Sequence, residues 1–413
     1  MAAFSSEQWA ALAVLGLTLF GVSFGRLPGL ALERSGVALL GAALLIGTGV
    51  LEPAEAWALI HGEIILLLLS LMVINAVLTR SGFFSLMTAH AVRGARSTLA
   101  LVTALVFASG VLSALFLNDT VVLMLTPLVL AVTRSLGRPA LPYLLALAMS
   151  ANIGSAAALT GNPQNLIVGL RGDIGFAPFL LALAPPALLG LGALVLLLVL
   201  AYPREFRRVP LARSETLATP TRPLLLRFAS LAVLGMLAAF ALGVNVTAAA
   251  LVTAALLLVA ARAPSDALLG EVDWNLLVLF AGLFVVVGAL EHTGLSNLLF
   301  GALEPLLEAG VLALAGFTTL LSTLLSNVPA VLLLATALEG LGGSARDWLT
   351  VALASTLAGN LTLIASVANL IVVESARRQG VGVGFFAHLR LGVPVTLVTL
   401  LIGVLWLGYG PGA

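Results

Sequence analysis

The sequence predicts an all-α polytopic membrane protein made of two inverted repeats. Hydrophobic residues make up 61% of the 413-residue chain and charged residues only 9%, whereas a soluble domain has about a quarter of its residues charged. Several apolar runs reach the ~20 residues that a helix needs to cross a bilayer. The alternation expected of a membrane β-barrel is absent, so helices must satisfy the backbone hydrogen bonds within the lipid.

Missing residue types narrow the range of functions. The chain has no cysteine, which excludes disulfides, thiolate nucleophiles and cysteine-bound metals. All nineteen basic residues are arginine, so the lysine of a Walker-type nucleotide site is absent and ATP would not power transport within this chain. A net charge of +1 argues against a nucleic-acid partner. We expect no cofactor and no catalytic residues.

About ten transmembrane helices are predicted, together with two re-entrant hairpins. In the first half the spans lie at about 8–25, 34–51, 62–80, 139–172 and 176–202. In the second half they lie at about 224–243, 245–262, 274–291, 346–378 and 391–410. Segments 98–134 and 309–343 are read as hairpins, because each limb has only about 15–18 residues. Two full spans are the alternative for each, since both arrangements return the chain to its starting side.

The arginines predict how the chain is oriented in the cell (inner) membrane. Cytoplasmic loops collect arginine, and segment 203–227 alone holds six, which marks it as the cytoplasmic linker. Counting outward from there, seventeen arginines fall inside and two, Arg171 and Arg346, fall outside. Both termini are then outside. The repeats, 1–202 and 224–413 around a linker at 203–223, have opposite orientations, which is common in secondary transporters.

Two predicted spans are expected to be broken helices. Residues 139–172 would form a straight helix about 51 Å long, well beyond a hydrocarbon core of ~30 Å. The break is predicted at 160–165, where Gly161 and Pro163 disfavour regular helix, and its counterpart at 359–369. The tetrapeptide at 165–168, Asn-Leu-Ile-Val, recurs at 369–372, an offset of 204 residues. The repeat is therefore visible in the sequence as well as in the topology.

The hairpin tips and helix breaks carry the predicted binding site. Helix ends attract anions, while unwound carbonyls and Asn or Ser oxygens coordinate Na⁺. The predicted substrate- and ion-binding residues are Asn118, Asp119, Thr120, Asn152, Ser155, Gly161, Asn162, Asn165, Ser326, Asn327, Asn360, Thr362, Ser366 and Asn369. For any one of the Asn and Ser residues, packing is an equally good explanation, because small polar side chains also hold transmembrane helices together.

Asp119 is the only carboxylate that we place near the bilayer midplane. An isolated carboxylate there is costly, and burial favours its protonated form, so coupling to H⁺ is one hypothesis. A Na⁺ site at Asn118, Asp119, Ser326 and Asn327 is the other. The structural alternative is that Asp119 caps the helix that follows, since Asp is a favoured N-cap residue. Arg171, which lies beyond the first break, is expected to be solvated.

These motifs resemble the ion transporter superfamily, and within it the arsenite-efflux and NhaD-type antiporters and the citrate-transporter-like permeases. The residues that carry the resemblance lie at 117–120, 151–155, 160–165, 325–329 and 359–364. The resemblance implies two hairpins, two unwound helices, a scaffold and a moving transport part. In the dicarboxylate branch, Ser-Asn-Thr at both tips holds Na⁺ and carboxylates. Here the tips read Asn-Asp-Thr at 118–120 and Ser-Asn-Val at 326–328, which departs from that pattern.

The sequence therefore predicts a secondary active transporter. Its substrate would be a small anion or oxyanion, arsenite- or carboxylate-like, coupled to H⁺ or Na⁺ by elevator-like alternating access. Na⁺/H⁺ antiport is the alternative within transport. An intramembrane enzyme is the alternative of another class, although no nucleophile–base or metal set lies at matching depth. The expected partners are the substrate and the lipid bilayer, with a homodimer as an option.

Overall fold

The computed structural model describes residues 4–25, 31–93, 95–206 and 221–410. Within these ranges the chain forms helices and no strands, which confirms the predicted all-α class. Most of the predicted linker at 203–223 lies outside the described residues.

The helices follow the predicted spans closely. In the first half they are α1 (Ser6–Phe24), α2 (Arg34–Gly47), α3 (Pro53–Ala58), α4 (Gly62–Ser81), α5 (Phe83–Arg93), α6 (Thr98–Leu115), α7 (Asn118–Ser135), α8 (Ala140–Ser155), α9 (Pro163–Arg171), α10 (Phe176–Ala201) and α11 (Pro203–Phe206). In the second half they are α12 (Pro223–Ala241), α13 (Val246–Ala261), α14 (Ser265–Leu269), α15 (Trp274–His292), α16 (Ser296–Glu308), α17 (Val311–Leu325), α18 (Asn327–Leu341), α19 (Ala345–Ala358), α20 (Val367–Arg378) and α21 (Phe385–Tyr409). The last helix begins six residues before the predicted start at 391.

Among the described helices, seven are long and apolar enough to cross a membrane: α1, α4, α6, α10, α12, α15 and α21. Six of these are predicted spans. The seventh, α6, is a limb of the first predicted hairpin, and its 18 residues reach the length of a full span. Whether the hairpins are re-entrant therefore stays a prediction.

Both predicted helix breaks are present. Helix α8 ends at Ser155, a short 3₁₀ turn occupies Leu159–Gly161, and α9 begins at Pro163. Proline fits the first position of a helix because its missing N–H group would have no partner there. The Asn162 side chain caps α9 by accepting the N–H of Asn165 at 2.9 Å. In the second half, α19 ends at 358 and α20 begins at 367, so residues 359–366 form the matching interruption.

The two predicted hairpins are helix pairs with very short turns. In the first, α6 and α7 are joined by Phe116 and Leu117 in extended conformations. In the second, Ser326 alone separates α17 from α18 with a φ of +72°. A serine with positive φ is uncommon because its Cβ is crowded. The tight turn brings the N-terminus of α18 directly under the end of α17.

The contacts divide the molecule into two groups of helices. The hairpin bundle comprises α6–α10 and α17–α21, in which the first limb of each hairpin packs on the first part of a broken helix. The flanking bundle comprises α1, α2, α4, α12, α13 and α15, where α15 packs on α2 and α13 on α4. This division matches the two parts that the resemblance implies.

Five helices are present that the sequence did not predict. Three of them, α3, α11 and α14, have only four to six residues. The other two, α5 and α16, have 11 and 13 residues and each precedes a hairpin. A search for long apolar runs does not find such short helices.

We expect Gly154→Ala to destabilise the protein. A Cβ at Gly154 would lie 2.0 Å from the carbonyl oxygen of Gly110, so α8 and α6 would have to separate. Overpacking of this kind costs about 1–3 kcal/mol. Thermal unfolding in detergent should show a lower midpoint, whereas Gly192→Ala, inside α10 where a Cβ meets nothing within 4 Å, should leave it unchanged or raise it, because alanine favours helix over glycine. Equal midpoints for both variants would contradict this close packing.

Candidate functional site

The same asparagine clamp closes each helix break. The Asn165 side-chain amide donates to the backbone carbonyls ten and seven residues earlier, both at 2.9 Å. The Asn369 amide does the same, at 2.8 and 3.2 Å. Three of these four carbonyls also accept a second hydrogen bond, from the Asn162 side chain or from the N–H groups of Gly161 and Ala365. The clamps add to the bonding of backbone groups in an apolar interior, where an unsatisfied group is costly. The offset of 204 residues seen in the sequence thus relates two equivalent sets of hydrogen bonds.

The interruptions of the two broken helices, residues 156–162 and 359–366, meet at a place that we call the crossing. Two hydrogen bonds are exchanged between the halves there. The Asn152 amide donates to Asn369 Oδ1 at 3.1 Å. The Thr356 hydroxyl donates to Asn165 Oδ1 at 3.3 Å. Residue 356 is the 204-offset counterpart of residue 152, so each half reaches the clamp of the other from the equivalent position.

A second pair of hydrogen bonds between the halves also joins positions that are related by the offset of 204 residues. Asn162 donates to the hydroxyl of Thr356 at 3.2 Å, and Ser366 donates to Asn152 Oδ1 at 3.0 Å. Gly161 is required by the same close packing, because a Cβ there would lie 2.2 Å from the Ser155 carbonyl oxygen. The two broken helices therefore form one hydrogen-bonded unit.

The predicted site residues fall into two sets. The crossing brings together a buried set whose polar groups mostly satisfy one another: Asn152, Ser155, Asn162, Asn165, Asn360, Ser366 and Asn369. Thr362 contributes its backbone carbonyl to this set. Three other predicted residues line cavities: Asp119, Thr120 and Ser326. Asn118 links the sets, since its amide donates to Asn152 Oδ1 at 3.3 Å.

The hairpin tips border two adjoining cavities, which we call the vestibule. The larger, of about 800 Å³, is lined by Ser326. The smaller, of about 460 Å³, is lined by Asp119 and Thr120. Asp273 and Leu276 line both cavities, which places the two openings side by side. Of the four residues predicted to hold Na⁺, Asp119 and Ser326 line different cavities, and Asn118 and Asn327 line neither of them.

Asp119 is half-buried at the inner end of the vestibule. It is the second residue of α7, so it lies inside the helix and is not its N-cap. An acidic residue in the first turn still interacts favourably with the helix dipole. The charged groups that act on its carboxylate are Asp273 and Arg34. Within the described residues Asp119 forms no ion pair.

The described residues that line the vestibule carry an excess of negative charge. Its carboxylates Glu33, Asp119 and Asp273 face one guanidinium, that of Arg34, and none of these groups forms an ion pair with another described residue. The remaining carboxylate, Glu271, accepts from Arg80 Nε at 2.7 Å. The charge balance therefore disfavours a multiply charged anion at this opening.

Each hairpin carries three polar residues at the same intervals, a pattern that was not used in the sequence-based prediction. The first limb and tip of hairpin one carry Ser109, Ser113 and Asn118, with intervals of four and five residues. Hairpin two repeats these intervals with Thr318, Ser322 and Asn327. In hairpin two Ser322 Oγ and Asn327 Oδ1 are buried without a hydrogen-bond partner among the described residues. Such groups are rare in proteins and mark positions where a ligand or water completes the bonding.

A polar pocket lies at the opposite end of α15 from the vestibule, and we call it the Arg171 pocket. Its volume is about 260 Å³, and its polar lining includes His61, Arg171, Glu291, Thr336 and Glu339. The expectation that Arg171 is solvated is wrong, because its side chain is only 8% exposed. It donates from Nε to Glu339 Oε1 at 2.7 Å and from Nη2 to Glu339 Oε2.

The surroundings of His61 in this pocket favour its neutral form. Partial burial lowers the pKa of His61, and the nearby Arg171 guanidinium lowers it further, while Glu339 and Glu291 act in the opposite direction. The two glutamates are therefore left to neutralise the arginine.

Two further residues support the site and had no sequence signal beyond their polarity. Asn75 of α4 donates to the Thr120 hydroxyl at 3.3 Å, which joins the flanking bundle to the tip of hairpin one. His388 of α21 is buried and a ring N–H, Nε2, donates to the Asn360 carbonyl oxygen at 3.0 Å. Each lies far in sequence from its partner, so only the tertiary structure pairs them.

Comparisons with known proteins agree with this architecture. The profile of the citrate transporter family matches residues 21–358. The silicon efflux transporter LSI3 of Oryza sativa subsp. japonica is 34% identical, covering 96% of this chain and 97% of the relative. The arsenical pump membrane protein of Escherichia coli K12 is 26% identical, covering 88% and 91%. The crystal structure of the Alcanivorax borkumensis YdaH transporter is similar in fold, with a TM-score of 0.62, 19% identity and 98% of each chain covered.

We expect Asn165→Ala and Asn369→Ala to destabilise the protein to a similar extent. Each substitution removes two buried hydrogen bonds to backbone carbonyls, at a cost of about 0.5–1.5 kcal/mol per bond. Denaturant unfolding in detergent would measure the loss. Asn297→Ala, on the exposed surface of α16, is the matched control. Full stability of either clamp variant would contradict the role of the clamps.

Proposed function

Because the chain belongs to the citrate transporter family, we propose that it is a secondary active transporter of a small oxyacid or oxyanion coupled to H⁺ or Na⁺. The observation that carries this proposal is the vestibule, which connects the surface to the hairpin tips at Asp119 and Ser326. Relatives named as a silicon efflux transporter and an arsenical pump support an oxyacid substrate. All of these relatives are named for transport rather than for catalysis.

The charges of the vestibule favour an uncharged substrate. Arsenite and silicic acid are weak acids that are largely neutral at pH 7, whereas citrate carries several negative charges. A polyanion would be repelled by the excess carboxylates around Asp119 and Asp273. Asn and Ser side chains near the tips, including the unpartnered Asn327 Oδ1, suit the hydroxyl groups of a neutral oxyacid.

Alternating access follows from the division into two bundles. The crossing ties both broken helices together, and Asn118 ties hairpin one to them, so the hairpin bundle would move as a unit against the flanking bundle. In the orientation that the arginine distribution predicts, the vestibule would open to the cytoplasmic side, and this conformation would be inward-open. We infer elevator-like movement of the hairpin bundle on this basis.

Na⁺/H⁺ antiport is the second candidate, favoured by the unpaired carboxylate of Asp119 in a cavity with net negative charge. The two proposals differ in what drives proton movement. Proton flux in proteoliposomes that depends on Na⁺ alone, with no oxyacid present, would favour antiport. Proton or Na⁺ flux that requires arsenite or silicic acid would favour coupled oxyacid transport.

Asp119→Asn is expected to abolish coupling while leaving the fold intact, because the neutral amide cannot exchange a proton or neutralise a cation. Arsenite and silicic acid flux would be measured in proteoliposomes with and without imposed pH and Na⁺ gradients. Asp266→Asn, at an exposed position on α14, should behave as the unmodified protein. Gradient-driven transport that persists in Asp119→Asn would remove Asp119 from the coupling site.

Asn118→Ala and Asn327→Ala are each expected to weaken substrate affinity by about two- to tenfold, the effect of losing one hydrogen bond. The rise in thermal midpoint with increasing arsenite or silicic acid would report affinity, since a ligand that binds the folded form stabilises it. Asn297→Ala again provides the control. Unchanged affinity in both tip variants would contradict a site shared between the two hairpins.

A further inference from the structure

The Arg171 pocket joins the two bundles by an ion pair. Arg171 ends α9 and Glu339 lies in α18, so both belong to the hairpin bundle, whereas Glu291 lies in the last turn of α15 in the flanking bundle. Arg171 Nη2 lies 3.8 Å from Glu291 Oε1. Of the ion pairs formed between described residues, this one alone connects the hairpin bundle to the flanking bundle.

The three side chains differ in how firmly they are held. Arg171 is nearly buried, and its two-point contact with Glu339 together with Thr336 Oγ1 at 3.4 Å keeps its charge neutralised. Glu291 is 47% exposed and makes the longer contact. The bridge to Glu291 can therefore break without leaving an unpaired buried charge. Arg171 keeps Glu339 as its partner in the same bundle, and the Glu291 carboxylate becomes hydrated.

The bridge between Arg171 and Glu291 lies at the opposite end of α15 from the vestibule. Asp273 borders the vestibule just before α15, and Glu291 borders the Arg171 pocket near the end of the same helix. The 19 residues of α15 correspond to a helix about 28 Å long. The open cavity and the ion pair thus lie at opposite ends of one element of the flanking bundle.

We propose that Arg171 is a gating residue of the transport cycle, whose bridge to Glu291 holds the end of the molecule opposite the vestibule closed while the vestibule is open. When the hairpin bundle moves, the bridge breaks and Arg171 travels with Glu339. This inference rests on the alternating access proposed above, and it is independent of which substrate or coupling ion the protein uses.

The test measures which side is open, and the chain is well suited to it because it has no cysteine. A single Leu324→Cys variant would place a thiol at an exposed position of the vestibule. A membrane-impermeant thiol reagent would be added to the vestibule side of oriented membrane vesicles. Adding Glu291→Gln should slow labelling by about 1.5- to fivefold, the range that an exposed ion pair can shift an equilibrium.

Matched variants separate gating from folding. Glu304→Gln, which removes an exposed glutamate of α16, should leave the labelling rate unchanged. Glu291→Asp should label at a rate between those of the unmodified protein and Glu291→Gln. Glu339→Gln should instead lower the thermal midpoint, because Arg171 loses its partner within the hairpin bundle. An unchanged or faster labelling rate in Glu291→Gln would overturn the proposal. Labelling requires no substrate, so failure of the oxyacid assay and failure of the gate are read separately.

Discussion

Backbone groups that leave a helix inside an apolar bundle have to find hydrogen-bond partners there, and this constraint organises the centre of the molecule. Lipid and apolar side chains supply no such partners. At each break one asparagine amide closes over two carbonyls. The oxygens of the same two asparagines accept bonds from Asn152 and Thr356 of the opposite half. Neither break is satisfied by its own repeat alone, so the halves are held together where each is interrupted.

The division of polar residues between the crossing and the cavities follows from this constraint. Most buried asparagines form hydrogen bonds at the helix breaks. The polar residues that line the vestibule therefore come from the hairpin tips. Asn118 belongs to both, because it contacts Asn152 and precedes Asp119. A ligand at the tips would therefore be positioned by a hydrogen-bonded unit. Arg34 of the flanking bundle lines the vestibule, and Arg171 of the hairpin bundle lines the other pocket.

Much of the site could be located from the sequence, but the roles of its members could not be separated. The recurrence of Asn-Leu-Ile-Val and the excess length of two spans predict two breaks at the correct positions. Asn165 and Asn327 look alike in sequence, because both are asparagines predicted near the bilayer midplane. Residue type and depth do not tell an asparagine that bonds to a carbonyl from one that faces a ligand. Their difference is that Asn165 Oδ1 accepts from Thr356, whereas Asn327 Oδ1 has no partner in the part of the chain that the structure describes. That difference depends on which atoms neighbouring helices bring within reach.

The sequence by itself determined the long apolar helices, their breaks and the repeat, because apolar run length and helix-breaking residues act within about twenty neighbouring residues. Only the tertiary structure decided the long-range partners. Arg171 meets Glu339 across 168 positions of the chain, and Asn152 meets Asn369 across 217. An arginine next to a loop reads as solvated until packing places two carboxylates beside it. Electrostatic and hydrogen-bond energies fall steeply with distance, so they are fixed by packing rather than by order along the chain.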